Sequence, residues 1–525
     1  MKASLEYVQS EKAKLAPVTL THDISYLPNQ EIQVIKLLVK ASQYIDQIFL
    51  MQVYEKNLDI LNMLQSSEDT SATEYLELFN IMFGPWNRLT EDHPFIDKVK
   101  KPAGAAYYPI DMKKDEFISW IKNHPEDQES FESNFTMIRR NEETLEAIPY
   151  FEFFRDKIQP IVTLLQQAAD LTTDPSLATY MQSRADGLLT DDYYQSDKDW
   201  MDLAGDIEVV IGPYEVYEDN LFGYKAAFES FICVVDQIES KKLENIAHYL
   251  TRLEEALPIE ETYERGAASP VKVVNLLYSA GDTKAGIQTS AFNLPNDERV
   301  RNEKGSKKVM LKNVMKAKFD KCWIPIVNEA LSSKDLNRVS FDAYFTHVVM
   351  HEVSHGLGPG NIELNGTQTT VNKELKELYA TIEEAKADVL GVYTAQLLID
   401  WKVFPKILEE TLYSSNLGGM FRSIRFGIDS AHGGGVAIQL NTYLDAGAVS
   451  VDKDGRFNID PRKMKTAVRD LARDLLIIQA NGDYEAAKAL IDEYRIIRPE
   501  TQAIIDRLKD VPIDIRPIYS IEEEI

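Results

Sequence analysis

Cysteine is nearly absent from this chain of 525 residues: there are two, Cys233 and Cys322. No Cys-x-x-Cys pair exists, which excludes a cysteine-bound zinc knuckle and a thioredoxin-type redox site. Both thiols lie in apolar segments (FESFICVVD and FDKCWIPIV), where a buried free thiol is the ordinary state, and they fit a reducing compartment. The amino terminus, MKASLEYVQSEKAKLAP, lacks an apolar core segment, so no signal peptide is expected and a cytoplasmic location is. No uncharged apolar run approaches the roughly 18 residues that a membrane span needs. Positive charge is in deficit, with 57 Lys and Arg against 84 Asp and Glu, a net charge of −27. Such a surface repels phosphate backbones, so no nucleic-acid partner is expected. It weakly attracts cations, including peptides with free amino termini. A Gly-x-Ser-x-Gly elbow is also missing. His432-Gly433-Gly434-Gly435 imitates an oxyanion motif of serine hydrolases, but it has no nucleophile to serve.

What is present is ordinary globular material, 44% hydrophobic and 27% charged. A chain this long builds its core without metal or disulfide staples, so any metal site is free to be catalytic. Its length suggests roughly two to four domains. Residues 30–64 have helical period, with Ile32, Ile35, Leu37, Leu38 and Ile45 as the stripe. The stretch 86–120 is rich in turns, and 125–200 returns to helical patterning. Ile207, Val209 and Ile211 alternate as a strand, Gly212-Pro213 breaks it, and a helix is expected from about Tyr224. Residues 270–300 read as strand, turn and loop. From 320 to 510 helix predominates, interrupted by one hairpin, AGAVSVDKDGRFNID, turning at Asp454-Gly455.

The strongest signal is VSFDAYFTHVVMHEVSHGLGPG. Ser340 is placed to cap a helix that Gly356, Gly358 and Pro359 end. Inside it, His351 and His355 are four apart, so both imidazoles share one face and can grip one ion. Glu352 lies beside them as a general base for water. A catalytic zinc takes a third protein ligand and keeps one position open. The following helix, NKELKELYATIEEAKADVLGVYTAQLLIDW, offers Glu383, Glu384 and Asp388. Its core stripe is Leu375, Leu378, Tyr379, Ile382, Val389 and Tyr393. Glu384 follows His355 by 29 residues, enough for a loop and a returning helix, and is the expected ligand. Asp388 and Glu383 then suit hydrogen bonds to the ligand histidines, with Glu383 the alternative ligand. His347, one turn before His351, shares that face and competes as a ligand, although Glu352 is placed for the 351/355 pair.

With these motifs the chain resembles the dipeptidyl-peptidase III family of zinc exopeptidases over roughly residues 205–515. Besides HEVSH and EEAKAD, the resemblance rests on IGPYEVYEDNLFG, NLPNDERVRNEKGSKKVMLKN and SAHGGGVAIQLNTYLDAGAV. It implies an α+β fold with two lobes around a wide cleft, one mainly helical and zinc-binding, the other with a β-barrel core. The implied division is 1–235 for the mixed lobe, with 277–322 and 511–525 returning to it, and 236–276 with 323–510 for the zinc lobe. It implies Zn2+ as cofactor and short peptides as substrates, cut to release amino-terminal dipeptides. Glu215, Asn293 and Asn296 would hold the free amine, Tyr217 and His432 the oxyanion. The family's carboxy-terminal arginine has no clean match here, and Arg516 is the nearest candidate. Two departures stand out: the motif has five residues where six are usual, and EEAKAD ends in Asp where Glu is usual. Monomer and dimer are both compatible with the sequence. An aminopeptidase or endopeptidase of different register, or a peptide-binding protein that kept the metal, are the rival readings.

Overall fold

In a computed structural model, residues 2–142, 144–259 and 271–524 are described. The chain divides into two compact units. The first comprises Met1–Ser240, Val271–Ala317 and Ile513–Ile525; the second, Lys241–Pro270 and Lys318–Pro512. The fold is a mixture of helix and sheet.

The first unit is organised on five strands: β1 (Ile207–Glu215), β2 (Ala227–Val235), β3 (Val271–Gly281), β4 (Ala291–Leu294) and β5 (Lys307–Leu311). Their order is β1-β2-β3-β5-β4, antiparallel except for the β3–β5 pair. No β1–β4 pairing closes the sheet into a barrel among the described residues. Helix α1 (Asn29–Val53) covers it through Ile35, Leu38, Ile45 and Phe49, all fully buried. Polar pins add register. Ser42 and Ser230 hydroxyls meet at 2.7 Å, and the Gln52 amide accepts from Phe228 N at 2.8 Å and donates to Ala226 O at 3.1 Å.

Two expectations are corrected here. The segment after Tyr224 is strand β2, not helix. All nine of its residues are buried. A short continuous apolar run carries no period that separates strand from helix, and its Phe, Ile and Val content decides for strand. Within 125–200, a hairpin pairs Thr136–Asn141 with Thr144–Pro149 before the helices Arg155–Leu171 and Pro175–Thr190.

The second unit is mainly helical. Its core is built on α2 (Phe341–Ser354), α3 (Tyr379–Asp400), α4 (Ala431–Asp445) and α5 (Pro461–Ala480). Met350, Ile382, Val389, Ile438, Leu471 and Leu475 from these four helices are buried together. Each such side chain contributes about 1.5–3 kcal/mol by leaving water. The helix expected from Asn372 onward is broken. A short helix, Val371–Leu375, and a 3₁₀ turn, Lys376–Leu378, precede α3, with Lys376 at φ 52°. The hairpin at Asp454-Gly455 is present, but its loop runs over 452–456, with Asp452 Oδ1 accepting from Asp454 N and Arg456 N at 2.9 and 3.0 Å. A second hairpin, Asn361–Leu364 with Thr367–Thr370, turns at Asn365-Gly366. Both turn residues have positive φ, 52° and 78°, as a tight two-residue turn demands. Among the described residues no helix is long and apolar enough to cross a membrane.

Candidate metal centre

Helix α2 begins where Ser340 Oγ accepts from Ala343 N at 3.1 Å and ends at Ser354, leaving His355 as its C-cap. Helix α3 lies against it at very short range. A Cβ added to Gly391 would fall 2.9 Å from His351 N, so only glycine permits this approach. At Gly435 of α4 a Cβ would fall 2.9 Å from Ala385 N. Two glycines thus let three helices converge where the titratable side chains stand.

There, His351, His355 and Glu384 offer ligand atoms that all lie within 4.8 Å of one another. The two Nε2 atoms are 3.2 Å apart, and Glu384 oxygens lie 3.4 Å from His351 Nε2 and 4.0 Å from His355 Nε2. Each histidine is fixed from behind. His351 Nδ1 donates to Asp388 Oδ1 at 2.7 Å, and His355 Nδ1 donates to Glu383 Oε1 at 2.9 Å. Those carboxylates are held in turn: Gln439 Nε2 donates to Asp388 Oδ2 at 3.1 Å, and Gln479 Nε2 donates to Glu383 Oε2 at 2.8 Å. With both Nδ1 protons committed, both Nε2 atoms face the common point. Glu384 Oε2 is buried there, 3.4 Å from His351 Nε2.

The electrostatics demand positive charge. Burial opposes ionisation of His351, yet its hydrogen bond to Asp388 and the nearby Glu384 and Glu352 carry its pKa up to about 10. Burial likewise opposes charge on Asp388 and Glu384, but the His351 hydrogen bond prevails and holds both carboxyls below their ordinary range. A divalent cation between the Nε2 atoms meets the same demand while the Nδ1 protons stay in place.

Glu352 follows His351 on α2 and is partly buried. His432, at the start of α4, places Nε2 3.1 Å from Glu384 Oε2 and is 67% exposed, leaving it accessible. His347 is drawn aside: its Nε2 donates to Asp388 O at 3.2 Å, and burial lowers its pKa.

The remaining expected residues belong to the first unit. Glu215, Tyr217 and Asn296 line a cavity of about 610 Å³ together with Arg184, Asp191 and Asp297. Asn296 Nδ2 donates to Tyr214 O at 3.1 Å and to Glu215 Oε1 at 3.4 Å. Tyr217 is 78% exposed, and the Glu215 charge keeps its phenol protonated by raising its pKa. Asn293 is exposed on β4, paired with Lys308, and does not line that cavity. Arg516 donates to Glu77 at 3.2 Å. Sequence reasoning passed over Gln439, Gln479 and Lys386. For the two glutamines the signal was there, since each is a long polar side chain inside an apolar helical run (VAIQL, LIIQA), where burial requires a partner; Lys386 stands among charges in EEAKADVL and carries no such signal.

A helix carrying His-Glu-x-x-His against a second helix carrying glutamate is the arrangement of a metal-dependent hydrolase. Comparison with known proteins narrows the class. A family model described as Peptidase family M49 matches residues 113–394, and the chain belongs to that family. It is therefore a peptidase, of a metallopeptidase family. A DPP III structure from Caldithrix abyssi is similar with a TM-score of 0.94 and 49% identity, covering 98% of this chain and 99% of that one. A dipeptidyl-peptidase III structure from Corallococcus sp. strain EGB is similar with a TM-score of 0.80 and 42% identity, covering 100% of this chain and 99% of that one. Among curated relatives, "Nudix hydrolase 3" of Arabidopsis thaliana is 36% identical over 99% of this chain and 74% of its own length. That name denotes another kind of hydrolysis and is not the one the family model and both solved structures carry. "Dipeptidyl peptidase 3" of Dictyostelium discoideum is 25% identical over 65% of this chain, and the match spans 56% of that protein, about half its length.

Proposed function

We propose that this chain is a zinc-dependent exopeptidase that releases dipeptides from the amino ends of short peptides, with the second unit as its zinc-binding lobe. The observation that carries the reading is the convergence of His351 Nε2, His355 Nε2 and the Glu384 carboxylate, with both Nδ1 atoms tied back to carboxylates. The fit is close. Two nitrogens on a tetrahedral zinc with bonds of about 2.0–2.1 Å stand roughly 3.3 Å apart, and here the Nε2 atoms are 3.2 Å apart. Two imidazoles and one carboxylate are also a catalytic zinc donor set that leaves one position for substrate.

When bound, zinc supplies a Lewis acid that polarises the scissile carbonyl and acidifies water. Glu352 takes the proton of the attacking water and delivers it to the leaving amine. The accessible Nε2 of His432 and the protonated Tyr217 phenol donate to the oxygen that becomes negative. Glu215 receives the free α-amino group of the peptide with the Asn296 side-chain oxygen beside it, and Asn293, on β4 outside their cavity, offers a further oxygen to the same end of the peptide. A buried amine needs such acceptors, so recognition of the amine fixes which peptide bond is cut. The names of the Caldithrix and Dictyostelium relatives support this register. Arg516 stays outside the proposal, because Glu77 already engages it.

Mass spectrometry of products from matched peptides with free and acetylated amino termini, with zinc present, tests the reading. Dipeptides from the free form and none from the acetylated form are expected. Equal cleavage of both, or release of single residues, would leave an endopeptidase or aminopeptidase and remove the amine role from Glu215, Asn293 and Asn296.

A further inference from the structure

The two proposed histidine ligands are held differently. His351 lies inside α2, so helical hydrogen bonds fix its backbone. His355 is the C-cap, where the helix stops and the next turn needs other support. That support comes from Lys386 on α3. Its side chain is fully buried. Its ammonium donates to Ser354 O at 2.9 Å and Leu357 O at 3.2 Å, and meets Glu383 Oε1 at 2.9 Å. Three protons thus find three oxygens, and the cation sits at the negative end of α2.

The same Glu383 oxygen receives His355 Nδ1–H. The contacts therefore close a ring. Lys386 grips the backbone on both sides of His355, and it also grips the carboxylate that orients the His355 imidazole. We propose that Lys386 is a positioning residue for the proposed zinc ligand His355, acting through Glu383. Gln479 holds the other Glu383 oxygen at 2.8 Å but brings no charge. Lys386 brings the charge that balances the buried carboxylate, which then only accepts, so the Nδ1 proton stays on His355 and Nε2 stays turned to the proposed metal position. The inference rests on the zinc reading above and extends it to a residue that touches neither metal nor substrate.

The test compares the full-length unaltered protein, Lys386→Met, Glu383→Gln and the double variant. Zinc affinity is read by competition with a chelator, the visible spectrum after cobalt(II) loading reports ligand geometry, and the metal-free melting temperature reports stability. Each single variant is expected to weaken zinc by about 10–100-fold and to shift the cobalt spectrum alike. The double variant is expected to bind within about threefold of Glu383→Gln alone, because one variant has already removed the path of the other. It leaves no unpaired buried charge, so it remains informative if Lys386→Met does not fold. Unchanged zinc affinity in Lys386→Met would overturn the proposal. So would a double variant more than about threefold weaker than Glu383→Gln, or a lowered melting temperature with an unaltered cobalt spectrum. Failure of the unaltered protein to bind zinc would instead sink the zinc reading itself, and this inference with it.

Discussion

Glu352 and its neighbour His351 are consecutive residues with opposite duties in the proposed mechanism. The imidazole turns toward Glu384 and His355, while the carboxylate stays out of that three-donor group. A residue that moves protons without holding the ion is separable from the ion by substitution. Glu352→Gln keeps shape and hydrogen-bonding capacity and removes only the basic oxygen. Its peptidase turnover is expected to fall by about 10²–10⁴, while zinc content and melting temperature stay at the unaltered level. Turnover near normal, measured beside metal content in one preparation, would assign the base elsewhere. The local motif made Glu352, His351 and His355 legible in sequence, because their relation needs only a regular helix. Glu384 was legible one step less directly, through acidic spacing on the next helix. Lys386 was not, because its acceptors Ser354 O and Leu357 O are backbone atoms 32 and 29 residues away, which no side-chain pattern encodes.

At the scale of elements, the centre depends on how closely α3 meets α2 and α4. Gly391 and Gly435 set those distances. Alanine in a helix interior gains about 1 kcal/mol of propensity over glycine. At Gly391 this gain meets a Cβ 2.9 Å from His351 N and 3.2 Å from His351 Cα, both backbone atoms that cannot rotate away. Overpacking of this kind costs about 1–3 kcal/mol, so the clash prevails. Gly391→Ala is expected to lower the melting temperature, and zinc affinity is expected to fall with it because the displaced backbone is that of a proposed ligand. Calorimetry on metal-free and zinc-loaded protein checks both, and a more stable variant of unchanged zinc affinity would contradict the packing argument. Neither glycine has a sequence signature of its role. Each is a helix-interior glycine like any other until the partner helix is in place.

At the scale of the whole molecule, acidity is the dominant property, and some of its carboxyls are buried. Burial pushes Asp191 up to about 7, against hydrogen bonds from Phe151 N and Tyr193. Burial first, then the like charge of Glu218, pushes Asp282 up to about 6. In an unfolded chain both carboxyls titrate near 3.8. Between that value and the folded one, the folded protein holds a proton that the unfolded chain has released. The unfolded state therefore binds fewer protons, and these groups make stability fall as pH rises from about 4 to 7. Asp191 closes the helix Pro175–Thr190 at φ 57°, a backbone conformation that asparagine tolerates well. Asp191→Asn is expected to match the unaltered protein near pH 4 and to be more stable by on the order of 1–3 kcal/mol at pH 8. Melting temperatures across that range decide it, and parallel curves for the two proteins would show that Asp191 does not titrate as described.

By itself, the sequence determined the helix that carries His351, Glu352 and His355, its cap at Ser340, the peptidase family and the alternation of a mixed region with a helical one. These follow from contacts a few residues apart, or from blocks of residues that the chain carries in order. Tertiary structure decided what depends on partners distant in sequence. It made FESFICVV a central strand, because β1 and β3 pair along its edges, helix α1 packs on it, and all of its residues are buried, leaving no polar side to read. It drew His347 away to the Asp388 carbonyl and tied Arg516 to Glu77 across more than 400 positions. It also brought Lys386, Gln439 and Gln479 behind the histidines. A buried polar residue announces in sequence that it needs a partner, but packing alone chooses which one.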